Sequence, residues 1–380
     1  VANDGMRNFL YRNDGEHFFE NALEAGLAYN GQGQPEAGMG IAVADYDHDE
    51  DVDLLVTNFS RESNTLYRNE GRGKFSDQSE VMGVHESTFL PLGFGTLFFD
   101  ADNDADQDVF VANGHVLDRV AQQDADLRYE QSNQLLLYDD STFVDASTES
   151  GPAFALEGVS RGASSGDYDN DGDVDLLVLR GAWMGEEGRI PNSLLRNEGD
   201  GTFTDVTCQV GMLTYHPSNS AAFADYDNDG WLDLFVGNES GRQPHPCQLF
   251  NNRGNGTFVD VAPALGVDHV GFVKGVTWGD VDNDGLIDLY VSQFYQDNVI
   301  YRNVGERQGR WHFSPSVSMP GPDQSFPTWF WDYDNDGWLD LFAGGYNMDD
   351  LGDMARAYLG DEFGADHARM YRNLGGGRFE

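Results

Sequence analysis

The chain has 380 residues, 39% hydrophobic and 13% aromatic, enough to bury a sizeable core, and its formal net charge is −44. A surface so acidic argues against nucleic acid and anionic membranes as partners, because both repel it. No apolar run approaches the roughly 18 residues of a membrane-spanning helix, and Val1 is not a natural start, so an exported protein whose leader lies outside this chain is expected.

Val1–Asp4 reads as the end of an apolar strand. NFLYRNDGEHFFE (8–20) then reads as strand, Asn/Gly turn and strand, a hairpin pattern that recurs at 64–77, 133–145, 192–205, 247–260, 298–314 and 369–380. Between the hairpins stands a second recurring stretch. DYDHDEDVDLLV starts at Asp45, DADNDADQDVFV at Asp100, DYDNDGDVDLLV at Asp167, DYDNDGWLDLFV at Asp225, DVDNDGLIDLYV at Asp280 and DYDNDGWLDLFA at Asp332. The starts lie 52 to 67 residues apart, a period that means stacked or radially arranged units.

Each unit predicts four strands. Strand A is short and rich in small residues (GIAVAD, GTLFFD, AAFAD, GVTWGD), the acidic turn leads to strand B, and the hairpin supplies C and D. Small residues on A suit crowding at a hub, and the Phe on D suits packing between sheets. The expectation is an all-β, seven-bladed β-propeller forming one domain over 1–380. Complete blades fall at about 38–85, 92–150, 159–212, 218–266, 271–315 and 325–380, and 1–24 is the outer half of a further blade.

Asp at positions 1, 3, 5 and 9 of a short turn gathers carboxylates around one point, and hard oxygen ligands on a flexible loop suit Ca²⁺. Side chains of Asp45, Asp47, Asp49 and Asp53 would ligate in the first loop, with the carbonyl of Asp51 at position 7. The counterparts are Asp100, Asp102, Asp104, Asp108 and Asp106; then Asp167, Asp169, Asp171, Asp175 and Asp173. Position 7 is Trp231 beside Asp225, Asp227, Asp229 and Asp233, Leu286 beside Asp280, Asp282, Asp284 and Asp288, and Trp338 beside Asp332, Asp334, Asp336 and Asp340. Those three side chains cannot ligate, so a main-chain carbonyl is expected there. Gly172, Gly230, Gly285 and Gly337 occupy position 6, where a sharp turn favours a residue without Cβ, whereas Glu50 and Ala105 replace glycine in the first two loops. An EF-hand would carry Glu at position 12 and a following helix; here Val or Ala343 stands there inside an apolar β-rich run. About six Ca²⁺ sites, one per complete blade, are expected.

The long connections are all B-to-C: Ala112–Ser132, Leu179–Pro191, Gly237–Pro246 and Gly344–Ala368. They share the face opposite the acidic turns, where binding surfaces of such scaffolds sit. The last of them contains a stretch expected to form a short acidic helix. Trp183, Tyr215, Phe294, Tyr295, Tyr346 and Tyr358 fall near that face and suit stacking on sugar rings or anchoring a protein. His216 and His245 each precede proline near Cys247, a place for a transition metal or for loop histidines; His115 in NGHV reads as a loop-ordering side chain. Cys208 and Cys247 are the only cysteines, so a disulfide is one option, and Lys74 and Lys274 are the only lysines. GASSG (162–166) matches GxSxG by letter, but Ser164 runs directly into the third acidic loop and lacks the strand-to-helix elbow. Ser218 and Ser220 have no base beside them.

The DxDxDG…DLxV loops resemble FG-GAP/VCBS repeats, found in integrin α-subunit propellers and many exported bacterial proteins. More narrowly, FVANGHV (110–116), YEQSNQLLLYDD (129–140), RGASSGDYDNDGDVDLLV (161–178) and SFPTWFWDYDNDGWLDLFAGGY (325–346) are similar to the cartilage-acidic-protein-like group, which often carries an ASPIC/UnbV domain. The resemblance covers essentially the whole chain. It implies a calcium-loaded seven-bladed propeller, secreted or surface-exposed, with adhesion or interaction roles.

Neither HExxH, CxxCH, a P-loop nor CxxC occurs, and acids that ligate a cation are not free for acid/base work. The expected function is a non-catalytic, calcium-stabilised extracellular module that binds a protein partner or a surface glycan opposite the acidic loops. A carbohydrate-binding propeller is the second reading, and a polysaccharide lyase or hydrolase the third.

Overall fold

In the computed structural model the described residues are 1–380 except 16, 140, 316 and 346–367. They form two compact units, Val1–Arg180 with Asn192–Cys208, and Gly181–Pro191 with Gln209–Glu380.

The first unit opens on a ribbon of β1 (Tyr11–Asn13) and β2 (Phe18–Glu20). Its first four-stranded sheet runs β3 (Gly38–Ala44), β4 (Asp53–Asn58), β5 (Thr65–Asn69) and β6 (Phe75–Asp77). The second holds β7 (Gly93–Phe99), β8 (Asp108–Asn113), then, beyond the short β9 (Gln131–Ser132), β10 (Gln134–Tyr138) and β11 (Phe143–Asp145). β9 pairs with β12 (Glu157–Gly158), a clip outside the sheet. The third runs β13 (Ser160–Gly166), β14 (Asp175–Arg180), β15 (Ser193–Asn197) and β16 (Phe203–Asp205).

The second unit begins with β17 (Ser218–Ala224), β18 (Asp233–Asn238), β19 (Gln248–Asn252) and β20 (Phe258–Asp260). Its next sheet joins β21 (Phe272–Gly279), β22 (Asp288–Phe294) and β23 (Asn298–Tyr301) to β26 (Val317–Met319). Between them β24 (Asn303–Arg307) and β25 (Arg310–Phe313) form a separate hairpin. The 298–314 stretch therefore does not supply strands C and D together, since D comes from Val317–Met319. The last sheet has β27 (Ser325–Trp331), β28 (Asp340–Gly345) and β29 (Arg369–Tyr371), with an Asn373–Phe379 bridge where a fourth strand would start.

Every sheet is an antiparallel meander, the blade of an all-β β-propeller, and three blades belong to each unit. The expected seventh blade is corrected: the described residues make six, and 1–24 contribute a two-stranded ribbon with a short helical turn. β1 and β2 have three residues a side and pair only with each other, which leaves Tyr11, Phe18 and Phe19 exposed.

Strand A is innermost within each unit. β3 packs on β7 and β7 on β13, and in the second unit β17 packs on β21 and β21 on β27. The approach is close enough to dictate residue size: a Cβ at Gly40 would lie 2.2 Å from the Phe94 carbonyl, and one at Gly275 2.5 Å from that of Phe326. Small residues on A thus serve the crowding inferred from the sequence. In all six blades the A–B register shifts near the start of A, a bulge that bends the strand where blades converge. Apolar side chains then fill the space between neighbouring sheets, Leu55, Leu66, Val109 and Phe143 in one cluster and Phe235, Leu249, Val273 and Leu289 in another. Phe143, Phe203 and Phe258 at the start of strand D are buried as expected.

Candidate cation sites

The acidic turns share one construction. In five turns the position-1 carboxylate accepts main-chain N–H bonds from positions 5 and 6, as Asp225 does from Asp229 at 3.0 Å and Gly230 at 2.9 Å; in the second, Asp100 Oδ2 accepts from Ala105 at 3.0 Å and Oδ1 is buried without a partner. The position-5 carboxylate caps the amide at position 7, Asp229 to Trp231 at 3.0 Å. Position 6 has φ between 71° and 100° in all six loops, so Glu50 (71°) and Ala105 (76°) hold the same left-handed turn that glycine takes elsewhere. The substitutions alter its cost, not its course.

Position 9 has a different task. Asp53, Asp108, Asp175, Asp233, Asp288 and Asp340 are wholly buried. One oxygen of each accepts the position-2 amide and the other accepts an amide at the end of strand C, at 2.7–2.9 Å for the latter. This residue staples the turn to the third strand. Burial, opposed by those bonds and aided by neighbouring carboxylates, pushes Asp53 up to about 6, Asp108 and Asp288 to about 7, and Asp175 and Asp233 to about 8.

Position 3 carries the signal for a cation. Asp47, Asp102, Asp169, Asp227, Asp282 and Asp334 each leave Oδ1 buried with no hydrogen-bond partner. Six orphaned acceptors at one position of a repeat are not accidents of packing, since buried polar atoms are normally satisfied. Asp45, Asp47 and Asp53 bring one oxygen each within 4.8 Å of one another, as do Asp100, Asp102 and Asp108, and Asp167, Asp169 and Asp175; Asp225, Asp227 and Asp229, and Asp280, Asp282 and Asp284 do the same with position 5 in place of 9. The donor set is all oxygen, which fits a hard divalent ion.

Two features escaped the sequence reading. The residue before the strand-C asparagine covers the other oxygen of position 3: Arg68 on Asp47 (2.6 Å), Asn251 on Asp227 (3.0 Å), Arg302 on Asp282 and Arg372 on Asp334 (2.8 Å). The YRN motif has the composition of a strand, and its basic residue also aims at the acidic turn. Position 4 takes φ of 51–61° in every loop. His48 reaches Asp106 at 3.2 Å, Asn103 reaches Asp173 at 2.7 Å, Asn228 reaches the Gly285 carbonyl at 3.3 Å and Asn283 that of Gly337 at 2.9 Å, each in the next blade. Asparagine tolerates the left-handed region, and that preference was the available signal.

Other singled-out residues divide. Trp183, Tyr215 and Tyr295 are exposed, but Phe294 is buried; Tyr346 and Tyr358, and the expected acidic helix, lie outside the described residues. Trp183 covers the Lys274 ammonium, whose Nζ sits 3.0 Å from its ring centroid, with Phe272 and Phe294 at 4.5 and 5.5 Å. Lys274 pairs with Glu239, both side chains buried. Trp183 and Tyr295 both take positive φ, 71° and 66°, which is strained for bulky residues. Ser164 lies within β13 opposite Leu177, a strand residue and no elbow. Ser218 bonds Asn238, and Ser220 accepts from the Val276 amide. His115 takes the Leu117 amide on Nδ1 at 3.0 Å and so orders its loop. Cys208 and Cys247 are both free thiols, which overturns the disulfide option.

A blade repeat with one acidic turn at each A–B corner defines the class of protein. Residues 45–111, 182–236, 225–291 and 280–343 match the FG-GAP-like repeat, and the chain belongs to that family. It is similar to cartilage acidic protein 1 of Homo sapiens, 32% identical over 142 residues, which is 36% of this chain and 21% of that protein. It is also similar to cartilage acidic protein 1 of Xenopus tropicalis, 30% identical over 143 residues, 37% of this chain and 21% of that one. The match thus spans about a fifth of each relative. Among solved structures it is similar to an Agrocybe aegerita lectin described for recognition of non-reducing terminal N-acetylglucosamine, with 16% identity, TM-score 0.48, and 83% of this chain and 75% of that chain covered.

Proposed function

We propose that the chain is an exported, non-catalytic interaction module whose blades are stabilised by Ca²⁺, one ion per acidic turn. The six buried position-3 oxygens without partners carry this reading. Positions 1, 3 and 5 of each turn are the side-chain ligands, and the main-chain carbonyls of Asp51, Asp106, Asp173, Trp231, Leu286 and Trp338 supply position 7. Position 9 ligates while it holds the blade. An ion bound ten- to a hundredfold more tightly than its ambient concentration adds about 1.4–2.7 kcal/mol at each site. Over six sites that is comparable with the whole stability of an ordinary domain, ~5–15 kcal/mol.

A second reading, a carbohydrate-binding propeller, is favoured by the two exposed aromatics Trp183 and Tyr295, which both pack on Phe294. Titration calorimetry with Ca²⁺ on chelator-stripped protein tests the first reading, with about six equivalents taken up expected. Uptake of none removes it. Binding of the calcium-loaded protein to a glycan array, with a chelated control, then divides the partners. Selective, calcium-dependent signal lost in Trp183→Ala favours a glycan, and a blank array favours a protein.

A further inference from the structure

His216 lies just before β17, and His245 lies between β18 and β19. The structure brings their Nδ1 atoms to 3.0 Å, with the rings inclined at 75°. Each is followed by proline, which holds the preceding residue in extended backbone. Both prolines are pinned to the same end of β18: the Pro246 carbonyl accepts from Asn238 Nδ2 at 2.8 Å, and the Pro217 carbonyl accepts from the Glu239 amide at 2.8 Å. Ser240 Oγ accepts from the His245 amide and donates to its carbonyl, at 2.8 and 2.9 Å, while Ser218, directly after Pro217, donates its hydroxyl to Asn238 Oδ1 at 2.7 Å. The rings are therefore presented by fixed backbone. His245 Nε2 is enclosed by protein, so only its Nδ1 is open to a ligand.

We propose that His216 and His245 form a site for a borderline transition-metal cation such as Zn²⁺, separate from the acidic turns. Two nitrogens 3.0 Å apart, each about 2.05 Å from one ion, subtend about 94°, a pair of adjacent positions in its shell. In the metal-free protein one Nδ1–H donates to the other Nδ1; the ion displaces that proton and sits about 1.4 Å to the side of the N–N line, so each ring must turn by about 40° to aim its lone pair at it. Imidazole nitrogen selects Zn²⁺, Ni²⁺ or Cu²⁺ over Ca²⁺, whereas the all-oxygen turns select the reverse, so one chain can sort the two classes. Burial lowers both imidazoles, assisted by Arg189 and opposed by Glu186 at His245 and by Asp260 at His216, which favours the neutral rings that a metal requires.

The test uses the full chain saturated with millimolar Ca²⁺, so that the acidic turns are filled, and titrates Zn²⁺ against a chromophoric indicator. One equivalent of Zn²⁺ is expected beyond the calcium, and the double variant His216→Ala/His245→Ala should lose it, with at least ~10-fold weaker binding in either single variant. Calcium-dependent melting of the variants reports that they fold. On the wild-type chain, diethylpyrocarbonate should modify His216 and Zn²⁺ should protect it, read by peptide mass. Absence of Zn²⁺ uptake by calcium-saturated protein, uptake undiminished in the double variant, or modification of His216 indifferent to Zn²⁺ would each overturn the site.

Discussion

Asp227→Asn separates a cation ligand from a structural carboxylate, because the two roles give opposite signs in two buffers. Asp227 Oδ2 accepts from Asn251 Nδ2 at 3.0 Å, a bond the amide oxygen of Asn keeps, while Oδ1 has no partner. Burial and the adjacent Asp229 and Asp225 push its carboxyl from 3.8 up to about 6. At pH 7.5 it is therefore ionised in the fold at a cost. The shift alone corresponds to up to ~3 kcal/mol, and screening at a half-exposed group reduces that to about 1 kcal/mol. In chelator, the neutral amide should thus stabilise by about 1 kcal/mol, or roughly 2–4 °C. In millimolar Ca²⁺ the same change removes a ligand and forfeits the site's ~1.4–2.7 kcal/mol, lowering the melting temperature. Calorimetric scans of wild type and variant in both buffers read the sign directly. Destabilisation by the same amount in both buffers would refute the reasoning, for Asp227 would then be structural only.

The position-9 carboxyls make stability depend on pH in a stated direction. All are raised, to about 6 to 8 at Asp53, Asp108, Asp175, Asp233 and Asp288, so the metal-free protein is most stable below about pH 4 with respect to these groups and loses that contribution as pH rises through 6–8. The difference in melting temperature between Ca²⁺ and chelator should grow from pH 5.5 to 8; a difference that shrinks contradicts it. Ala105→Gly should stabilise by up to ~1 kcal/mol and Gly172→Ala should destabilise by ~1 kcal/mol or more, since both positions have positive φ and a Cβ at Gly172 would meet nothing within 4 Å. Urea titration measures both, and a Gly172→Ala protein as stable as wild type would mean the turn relaxes. Lys274→Met removes the ammonium beside the buried Glu239 carboxylate, which keeps the Trp183 amide, and should cost ~3–5 kcal/mol, with most of it recovered in Lys274→Met/Glu239→Gln; equal losses in both would show that the aromatic box, not the charge, needs lysine.

Much of the architecture was legible because the repeat announces itself in short-range chemistry. Asp, Asn and Gly at fixed offsets write the turn, and apolar runs such as LDLFV write a strand buried on both faces. What the sequence hid depends on contacts between elements. The 298–314 stretch has the hairpin's composition, but Gly305 and Gly309 at positive φ turn β24 and β25 into their own pair, so strand D is found four residues beyond Phe313. Phe294 and Tyr295 are adjacent aromatics in one motif, yet one ends strand β22 inside the core and the other begins the exposed turn. Composition does not distinguish them. The seventh blade was inferred from half a repeat, and half a repeat contains no sheet to join.

The acidic turn can serve two purposes at once because its carboxylates are divided by position. Position 9 spends both oxygens on main-chain amides from two different segments, so it is fixed in the blade whether or not an ion is present. Position 3 has one oxygen turned inward without a partner in every turn, and in Asp47, Asp227, Asp282 and Asp334 the other is held by the residue before the strand-C asparagine, so its satisfaction awaits a charge from outside. Within each unit position 4 then ties a turn to the next blade, through His48, Asn103, Asn228 and Asn283. A cation bound at position 3 acts on a turn already joined to its own third strand through position 9 and to its neighbour through position 4. Removal of one ion should therefore loosen two blades together, and neighbouring turns within a unit should lose their protection from hydrogen exchange as a pair. Independent loss, blade by blade, would mean that the position-4 bonds carry no coupling.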